Sequence, residues 1–397
     1  MRKIAATYIF PVSGAPIKNG ILVCNDDGTI VEVIDRGENF REEAGVEFYS
    51  GILVPGFVNV HCHLEFSHLK DKIPEKTGLS GFIGKINQLR DDDENTREKS
   101  IQIADKTMWA AGTAAVGDIS NSVRTVGTKL KSKIHYHTFV ESFGFHPSRA
   151  EKSFSYSANV LTEFQKNKLS ASIVPHSPYS VSEPLFTKIM QKAETEQSII
   201  TIHNQESRAE NVFFKKGGGP IAGHLQNNLG IDISHWQPSG KSSLQSILKY
   251  IPTANKLLLV HNTFTQEEDL EVLKQNRAKE NTCFVLCPNA NLYIEDQLPP
   301  VQLFRNHKLN ICLGTDSLAS NHQLSVLHEM ITLQLHFPEL ELSELISWAT
   351  INGAKALGVE NRYGSFESGQ IPGVNLLTGI NFRQMKLTSN SKVKRLL

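Results

Sequence analysis

Two histidines separated by one residue, His61 and His63, have the type and spacing of metal ligands. They follow an apolar run, residues 53–60, that predicts a buried β-strand. Side chains alternate between the faces of a strand, so residues i and i+2 point the same way. Two imidazoles on one face can bind a divalent metal through their ring nitrogens. A single His-x-His pair arises easily in a chain with 15 histidines, so the prediction depends on what ends the other strands.

Polar residues, several of them able to bind a metal or carry a proton, follow most of the predicted strands. The full set is His61, His63, Glu141, His176, His203, His261, Asn289, Asn291 and Asp316. A lone polar residue at a strand end is more often a cap or a satisfied structural group. Five histidines and an aspartate at such positions are hard to obtain by chance, so the set as a whole indicates an active site.

The strands that carry these residues predict the fold. The apolar runs are residues 53–60, 114–119, 134–140, 171–174, 199–202, 256–260, 283–286 and 311–313. Most are followed by a pattern typical of an amphipathic helix. Eight strand–helix units predict an α/β protein with a (β/α)8 TIM-type barrel, whose chemistry lies at the carboxyl ends of the strands. A doubly wound sheet is the competing topology, but no Gly-x-Gly-x-x-Gly sequence follows a strand.

The two ends of the chain are β-rich and predict a second unit. The turn sequence Asn-Asp-Asp-Gly, residues 25–28, separates two short β-like runs and predicts a hairpin. We expect residues 1–54 and 358–397 to form a small composite β-sandwich beside a barrel of residues 55–357. The basic tail, residues 392–395, is expected to be a solvated end.

The ligand chemistry favours one divalent transition metal. His61, His63, His203 and Asp316 supply three imidazoles and one carboxylate, which suit Zn²⁺ best and also Fe²⁺. Residues 170–177, at the fourth strand, contain no lysine to bridge a second ion, so a mononuclear site is predicted. Such a metal lowers the pKa of bound water from about 15.7 toward 7, which gives a metal-bound hydroxide nucleophile.

Three residues are predicted to be catalytic. Glu206, three positions after His203, could carry a proton from water to a substrate nitrogen, or could be a helix-start charge favoured by the dipole. His261 would polarise or orient the water, or be a structural histidine. Asp316 could accept the first proton of the water besides binding the metal.

Together these residues resemble the amidohydrolase superfamily, in its hydrolytic deaminase and chlorohydrolase branch. The matching motifs are Pro55-Gly56-Phe57-Val58-Asn59-x-His61-x-His63, Pro175-His176-Ser177-Pro178-Tyr179-Ser180, His203-x-x-Glu206-Ser207, His261, Cys287-Pro288-x-x-Asn291 and Leu313-Gly314-Thr315-Asp316-Ser317. The stretches 61–67 and 206–214 are most similar to aminodeoxyfutalosine deaminases and related adenosine-type deaminases. The resemblance implies a β-sandwich built from both termini, the metal ligands above, and Glu206 and His261 in the roles above. Residues 371–375 depart from the usual pattern, which concerns the sandwich rather than the chemistry.

The predicted activity is the release of ammonia from an aminopurine nucleoside or a related heterocycle. Glu65, His176, Asn291 and Ser317 are the predicted substrate-binding residues, although Glu65 could equally be a solvated charge. The alternatives are a guanine-, pterin- or cytosine-type deaminase, a chlorohydrolase-like enzyme, and a metal-binding pseudoenzyme.

The composition of the chain indicates which kinds of partner to expect. The 41 basic residues balance the 41 acidic ones, so the sequence predicts no nucleic-acid or membrane partner and favours a small-molecule substrate. Five cysteines in apolar runs indicate reduced thiols and a cytoplasmic protein. The sequence leaves the oligomeric state open, with a homodimer as one option.

Overall fold

The computed structural model describes residues 1–37, 43–89 and 93–397. Its strands are β1 (Arg2–Ile9), β2 (Ile17–Lys18), β3 (Ile21–Cys24), β4 (Ile30–Ile34), β5 (Val46–Pro55), β6 (Phe57–Cys62), β7 (Thr113–Ser120), β8 (His135–Ser142), β9 (Ser170–Pro175), β10 (Ile200–Asn204), β11 (Leu257–His261), β12 (Thr282–Leu286), β13 (Ile311–Leu313), β14 (Val374–Thr378) and β15 (Lys392–Arg395).

The α-helices are α1 (Gly78–Leu89), α2 (Glu94–Ala110), α3 (Val126–Lys129), α4 (Ala150–Lys166), α5 (Glu183–Glu196), α6 (Arg208–Lys216), α7 (Pro220–Gly223), α8 (Ser243–Ile247), α9 (Glu267–Asn276), α10 (Pro288–Glu295), α11 (Val301–Asn306), α12 (Val326–His336), α13 (Leu342–Ala349) and α14 (Ile351–Leu357). Short 3₁₀ helices cover Leu64–Leu69, Pro147–Arg149, Leu248–Tyr250 and Lys279–Asn281, and one π-helical turn covers His224–Asn228. None of the helices in the described ranges is long and apolar enough to cross a membrane.

The predicted TIM-type barrel is confirmed. Strands β6 to β9 form one parallel sheet, and β10 to β13 form another. At one seam the His203 amide donates to the His176 carbonyl, at 3.0 Å. At the other seam Cys62 and Asp316 form a parallel bridge, and the Asp316 amide donates to the His61 carbonyl, at 3.1 Å. The backbones of four predicted site residues therefore join the two half-barrels at their carboxyl ends.

The first predicted strand was wrong in one respect. Residues 53–60 do not form one strand, because β5 ends at Pro55 and β6 begins at Phe57. Between them Gly56 lies against Pro372 and Ala114, where an added Cβ would overlap both. The first part of the apolar run therefore belongs to the terminal sheet and the second part to the barrel.

The two ends of the chain share one sheet with the strand order β15-β14-β5-β1-β3-β4, and β2 pairs with β1. The predicted hairpin is confirmed, since β3 and β4 pair antiparallel across residues 25–28. Strand β14 from the C-terminal segment pairs antiparallel with β5 from the N-terminal segment. The division into two domains, its boundaries and the sandwich stay predictions.

The sequence suggested that the basic tail is a solvated end, and this prediction was wrong. Residues Lys392–Arg395 form β15, which pairs with β14. The guanidinium of Arg395 stacks on the ring of Trp109, with 3.3 Å between Cζ and the ring centroid. It also donates to the Thr113 carbonyl, at 3.0 Å, so the tail fastens the terminal sheet to the barrel.

An apolar cluster covers the carboxyl end of the barrel. Its buried members come from segments that follow β6, β8, β9, β10, β12 and β13 and include Phe82, Phe145, Tyr179, Phe213, Phe214 and Tyr293. Trp236 stacks on Phe213 with 4.9 Å between the ring centroids. Because these residues exclude water, polar groups beneath them interact in a low-dielectric environment.

Candidate active site

Four donor groups converge at the carboxyl end of the barrel, from β6, from the residue after it, from β10 and from the segment after β13. His63 Nε2 lies 3.1 Å from His61 Nε2 and 3.3 Å from His203 Nε2. Asp316 Oδ1 lies 3.6 Å from His61 Nε2 and 3.4 Å from His63 Nε2. All four residues are buried. The structure therefore brings together the four residues that the sequence singled out as ligands.

The hydrogen bonds around His203 suit a metal ligand. Its Nδ1 lies 2.8 Å from the His176 carbonyl, which can only accept, so Nδ1 carries the proton and Nε2 presents a lone pair to the centre. Glu141 Oε1 lies 3.3 Å from the same Nδ1 and orients the ring further. A single proton could bridge only one pair of the converging nitrogens, whereas a cation can accept all of their lone pairs. The residues present therefore fit a divalent metal.

Two of the strand ends adopt left-handed backbone conformations without glycine. His261 has a φ of 73° and Asp316 a φ of 57°. Such conformations cost roughly 1–3 kcal/mol each and persist only where the surroundings impose them. At His261 the surroundings include the next residue, Asn262, whose amide donates to the Asn204 carbonyl, at 3.0 Å, and whose side chain donates to the Leu259 carbonyl, at 2.7 Å. The backbone is thus held where both side chains reach the centre.

Glu206 is a buried carboxylate in the turn between β10 and α6. Ser207 caps α6 by accepting a hydrogen bond from the Glu210 amide, at 3.3 Å. The Glu210 carboxylate in turn accepts from the Gln205 and Glu206 amides, at 3.0 and 3.3 Å, and fixes this turn. Glu206 Oε1 lies 3.6 Å from His261 Nε2, and burial raises the pKa of Glu206 to about 8. Its carboxyl group can therefore gain or lose a proton near neutral pH.

Asn291 lies beside His261. Its Nδ2 is 3.3 Å from His261 Nδ1 and donates to Thr263 Oγ1, at 2.7 Å. This contact places the proton of the His261 ring on Nε2, which faces Glu206. The predicted contact of Asn291 with substrate stays a prediction.

The other predicted substrate-binding residues lie at the same end of the barrel. Glu65 is buried on the 3₁₀ helix after His63 and accepts hydrogen bonds from the Asn121 amide and Ser122 Oγ, both at 3.0 Å. Burial raises the pKa of Glu65 to about 7, so it is not a solvated charge. His176 is half-buried, with Nδ1 at 2.8 Å from Ser180 Oγ. Their contacts with substrate stay predictions.

Ser317 directly follows Asp316. Its Oγ lies 3.1 Å from Ser320 Oγ, and Ser320 donates to Asp316 Oδ2, at 2.6 Å. Ser320 thus holds Asp316 Oδ2 directly, and Ser317 contacts Ser320. Ser317 thus lies one residue from the donor cluster, and its contact with substrate also stays a prediction.

Sequence reasoning missed a buried ion pair next to His63. Asp118 Oδ2 lies 2.6 Å from Lys129 Nζ, and both side chains are fully buried. Asp118 Oδ1 accepts from the Leu64 amide, at 2.8 Å, and so fixes the residue after His63. Asp118 could have been noticed in the sequence as an acidic residue near the end of the second predicted barrel strand, residues 114–119. Nothing in the sequence indicates the role of Lys129 on α3.

Residues 52–395 match the Amidohydrolase family, which is most of the chain. The protein belongs to the amidohydrolase family. It is similar to adenosine deaminase from Helicobacter pylori, with 30% identity over 319 residues, covering 79% of this chain and 76% of the relative. Aminodeoxyfutalosine deaminase from Nitratiruptor sp. is 26% identical over 345 residues, covering 83% and 81%.

The fold of this amidohydrolase agrees with solved structures. A crystal structure of Helicobacter pylori aminofutalosine deaminase in complex with methylthio-coformycin matches with a TM-score of 0.80 at 24% identity, covering 98% of this chain and 94% of that one. Family and relatives confirm the predicted activity class. The protein is a metal-dependent hydrolytic deaminase, a hydrolase acting on carbon–nitrogen bonds other than peptide bonds.

Proposed function

We propose that this amidohydrolase is a zinc-dependent deaminase that releases ammonia from an aminopurine nucleoside or a closely related heterocycle. One observation carries the proposal: the four-donor cluster has beside it Glu206, which is buried and oriented toward His261. The relatives named as adenosine and aminodeoxyfutalosine deaminases support the purine class.

His61, His63, His203 and Asp316 would hold the metal, one ion per chain. Three imidazoles and a carboxylate suit Zn²⁺, with Fe²⁺ as the alternative. When bound, the metal would act as a Lewis acid that lowers the pKa of water from about 15.7 toward 7.

The protein groups would divide the proton transfers between them. Asp316 accepts the first proton of the attacking water, and His261 orients that water through its Nε2 proton. Glu206, with its pKa near 8, gives its proton to the ring nitrogen, takes up the second proton of the attacking water and passes it to the departing amino group. The proton held by Asp316 then returns to Glu206, so both carboxyl groups regain their starting states. One carbon–nitrogen bond breaks, one carbon–oxygen bond forms, and the products are ammonia and the ring carbonyl compound.

Glu65 supports the choice of a nucleoside. Each of its oxygens already accepts one hydrogen bond from the protein, which leaves a second lone pair on each oxygen for a sugar hydroxyl. His176, Asn291 and Ser317 would contact the heterocycle. We further propose a cytoplasmic location, because all five cysteines are buried free thiols.

Ammonia release tests the proposal. Protein stripped of metal and reconstituted with Zn²⁺ or Fe²⁺ would be assayed with adenosine, adenine, guanine, cytosine and an aminated pterin. We expect one metal per chain by elemental analysis and fastest turnover with the nucleoside. Fastest turnover with guanine, cytosine or the pterin would replace the proposed substrate class. Chloride release from a chlorinated heterocycle without any ammonia release would replace the reaction.

A further inference from the structure

Glu329 on α12 is a fully buried carboxylate that none of the proposed steps uses. Its Oε1 accepts a hydrogen bond from Asn321 Nδ2, at 2.8 Å. Its Oε2 accepts from the Asn289 amide, at 2.9 Å. Each oxygen thus ties the helix to a different segment at the carboxyl end of the barrel.

The first tie leads to the turn that carries Asp316. Asn321 Nδ2 also donates to the Thr315 carbonyl, at 2.9 Å. From the opposite side Asn59 holds the same residue, because its Oδ1 accepts from the Thr315 amide, at 3.1 Å, and its Nδ2 donates to Thr315 Oγ1, at 2.7 Å. These contacts hold the peptide that precedes the left-handed residue Asp316.

The second tie leads to α10 and so to His261. Asn289 lies in the first turn of α10, and Thr332 of α12 donates to its Oδ1, at 2.6 Å. Asn291, two residues further along α10, contacts His261 Nδ1. Helix α12 therefore holds α10 through Asn289 and the Asp316 turn through Asn321.

We propose that Glu329 is a positioning residue that fixes Asp316 relative to the Asn291–His261 pair. The inference rests on the proposed function, since it takes Asp316 as a metal ligand. Both neighbours of the carboxylate are N–H donors, so the position requires an acceptor on each oxygen. Losing one acceptor frees either the Asp316 turn or α10, and the ligand atom moves away from the geometry that the metal requires.

Glu329→Gln tests this with little change in volume, because its amide nitrogen would oppose one of the two donors. Gln334→Leu is the matched control. Gln334 lies on the same helix, is buried, and donates to the Leu340 carbonyl, at 3.0 Å, away from the Asp316 turn. Asn321→Ala removes the donor of the same Glu329–Asn321 hydrogen bond, and it replaces Glu329→Gln in the test if that variant does not fold.

Metal affinity would be measured by competition with a chelator, and melting temperature and amide exchange would be measured on the metal-free proteins. We expect Glu329→Gln and Asn321→Ala to weaken metal binding about 10–100-fold and to speed exchange at residues 315 and 316. Gln334→Leu should lower the melting temperature but leave the metal affinity and the exchange at residues 315 and 316 near wild type. The double variant Glu329→Gln/Asn321→Ala should be no worse than the worse single variant, since without Asn321 the substituted amide can still accept from the Asn289 amide and only the link to Asn321 is lost.

Wild-type metal affinity and exchange in Glu329→Gln would overturn the inference, as would an equal loss of affinity in Gln334→Leu. A wild-type protein that binds no metal would instead refute the proposed function. In that case the exchange rates at residues 315 and 316 would still decide whether Glu329 holds the turn.

Discussion

The carboxyl end of the barrel, called the mouth below, and the terminal sheet differ in how their ion pairs are exposed to solvent. At the mouth the ion pair of Asp118 with Lys129 is fully buried. In the terminal sheet Arg2 pairs with Glu47, and their side chains remain 30% and 41% exposed. Water and salt weaken the second pair, whereas the first acts in a low-dielectric interior.

The difference shows what burial does to a carboxyl group that the proposed function uses as an acid. Burial raises the pKa of Glu206 to about 8 at the mouth, whereas the hydrogen bond from Arg2 lowers the pKa of Glu47 in the sheet.

The largest effect is expected from Glu206→Gln. The amide has nearly the same shape but cannot carry a proton, so turnover should fall about 10²–10⁴-fold. Metal content and melting temperature should stay near wild type. Glu47→Gln, the same change in the sheet, should leave turnover intact in the same ammonia assay. A Glu206→Gln enzyme with full turnover would reduce Glu206 to a helix-start charge.

Lys129→Met should have the next largest effect, on stability. It leaves the Asp118 carboxylate buried without its cation, which typically costs about 3–5 kcal/mol. Denaturant unfolding would measure the change, and Lys129→Met combined with Asp118→Asn should recover much of it. A loss below about 1 kcal/mol would mean that the buried pair is no stronger than a surface pair.

Glu65→Ala should have a smaller effect on catalysis. A buried hydrogen-bonding partner left unpaired costs about 1–3 kcal/mol, which corresponds to roughly a ten- to hundredfold loss in kcat/KM for a nucleoside. The loss should disappear for an analogue without the contacted hydroxyl. An equal loss for both compounds would show that Glu65 only anchors Asn121 and Ser122.

The sequence revealed the donor cluster because a parallel barrel brings the ends of all its strands to one face. His61, His203 and Asp316 could be predicted for that reason, because each comes at or just after the end of a predicted strand. Lys129 and Glu329 could not, because they lie on helices and reach the site through tertiary contacts, Lys129 with Asp118 and Glu329 with Asn321.

Two errors in the predicted fold also have tertiary causes. The dipeptide Pro55-Gly56 is a local signal for a break in the apolar run that the strand prediction passed over, and the close contact of Gly56 with Pro372 explains why the break occurs there. A basic tail shows nothing of the Trp109 ring on which Arg395 stacks. Both contacts join segments far apart in the sequence, which periodicity cannot detect.

The smallest effect is expected from Arg2→Gln in the terminal sheet. Arg2 meets Glu47 with two hydrogen bonds, at 2.8 and 2.9 Å, which is good geometry for a surface pair. Exposure nevertheless limits its contribution to about 0–1 kcal/mol of the free energy of unfolding, and less at high salt. The matched control is Glu47→Gln, which keeps the hydrogen bond from Arg2 to the Leu396 carbonyl.

The pH dependence gives this small effect its own test. Arg2 and Tyr49 donate to Glu47 and lower its pKa in the folded protein, so the contribution is present above the unfolded pKa of about 4.3. It is lost as the pH falls through the lower, folded value. Urea unfolding at pH 7 and at about pH 3 should therefore show a smaller difference between wild type and Arg2→Gln at the lower pH. An equal difference at both pH values would assign the effect to the Leu396 contact. A difference above about 2 kcal/mol at pH 7 would mean that this exposed pair contributes as much as a buried one.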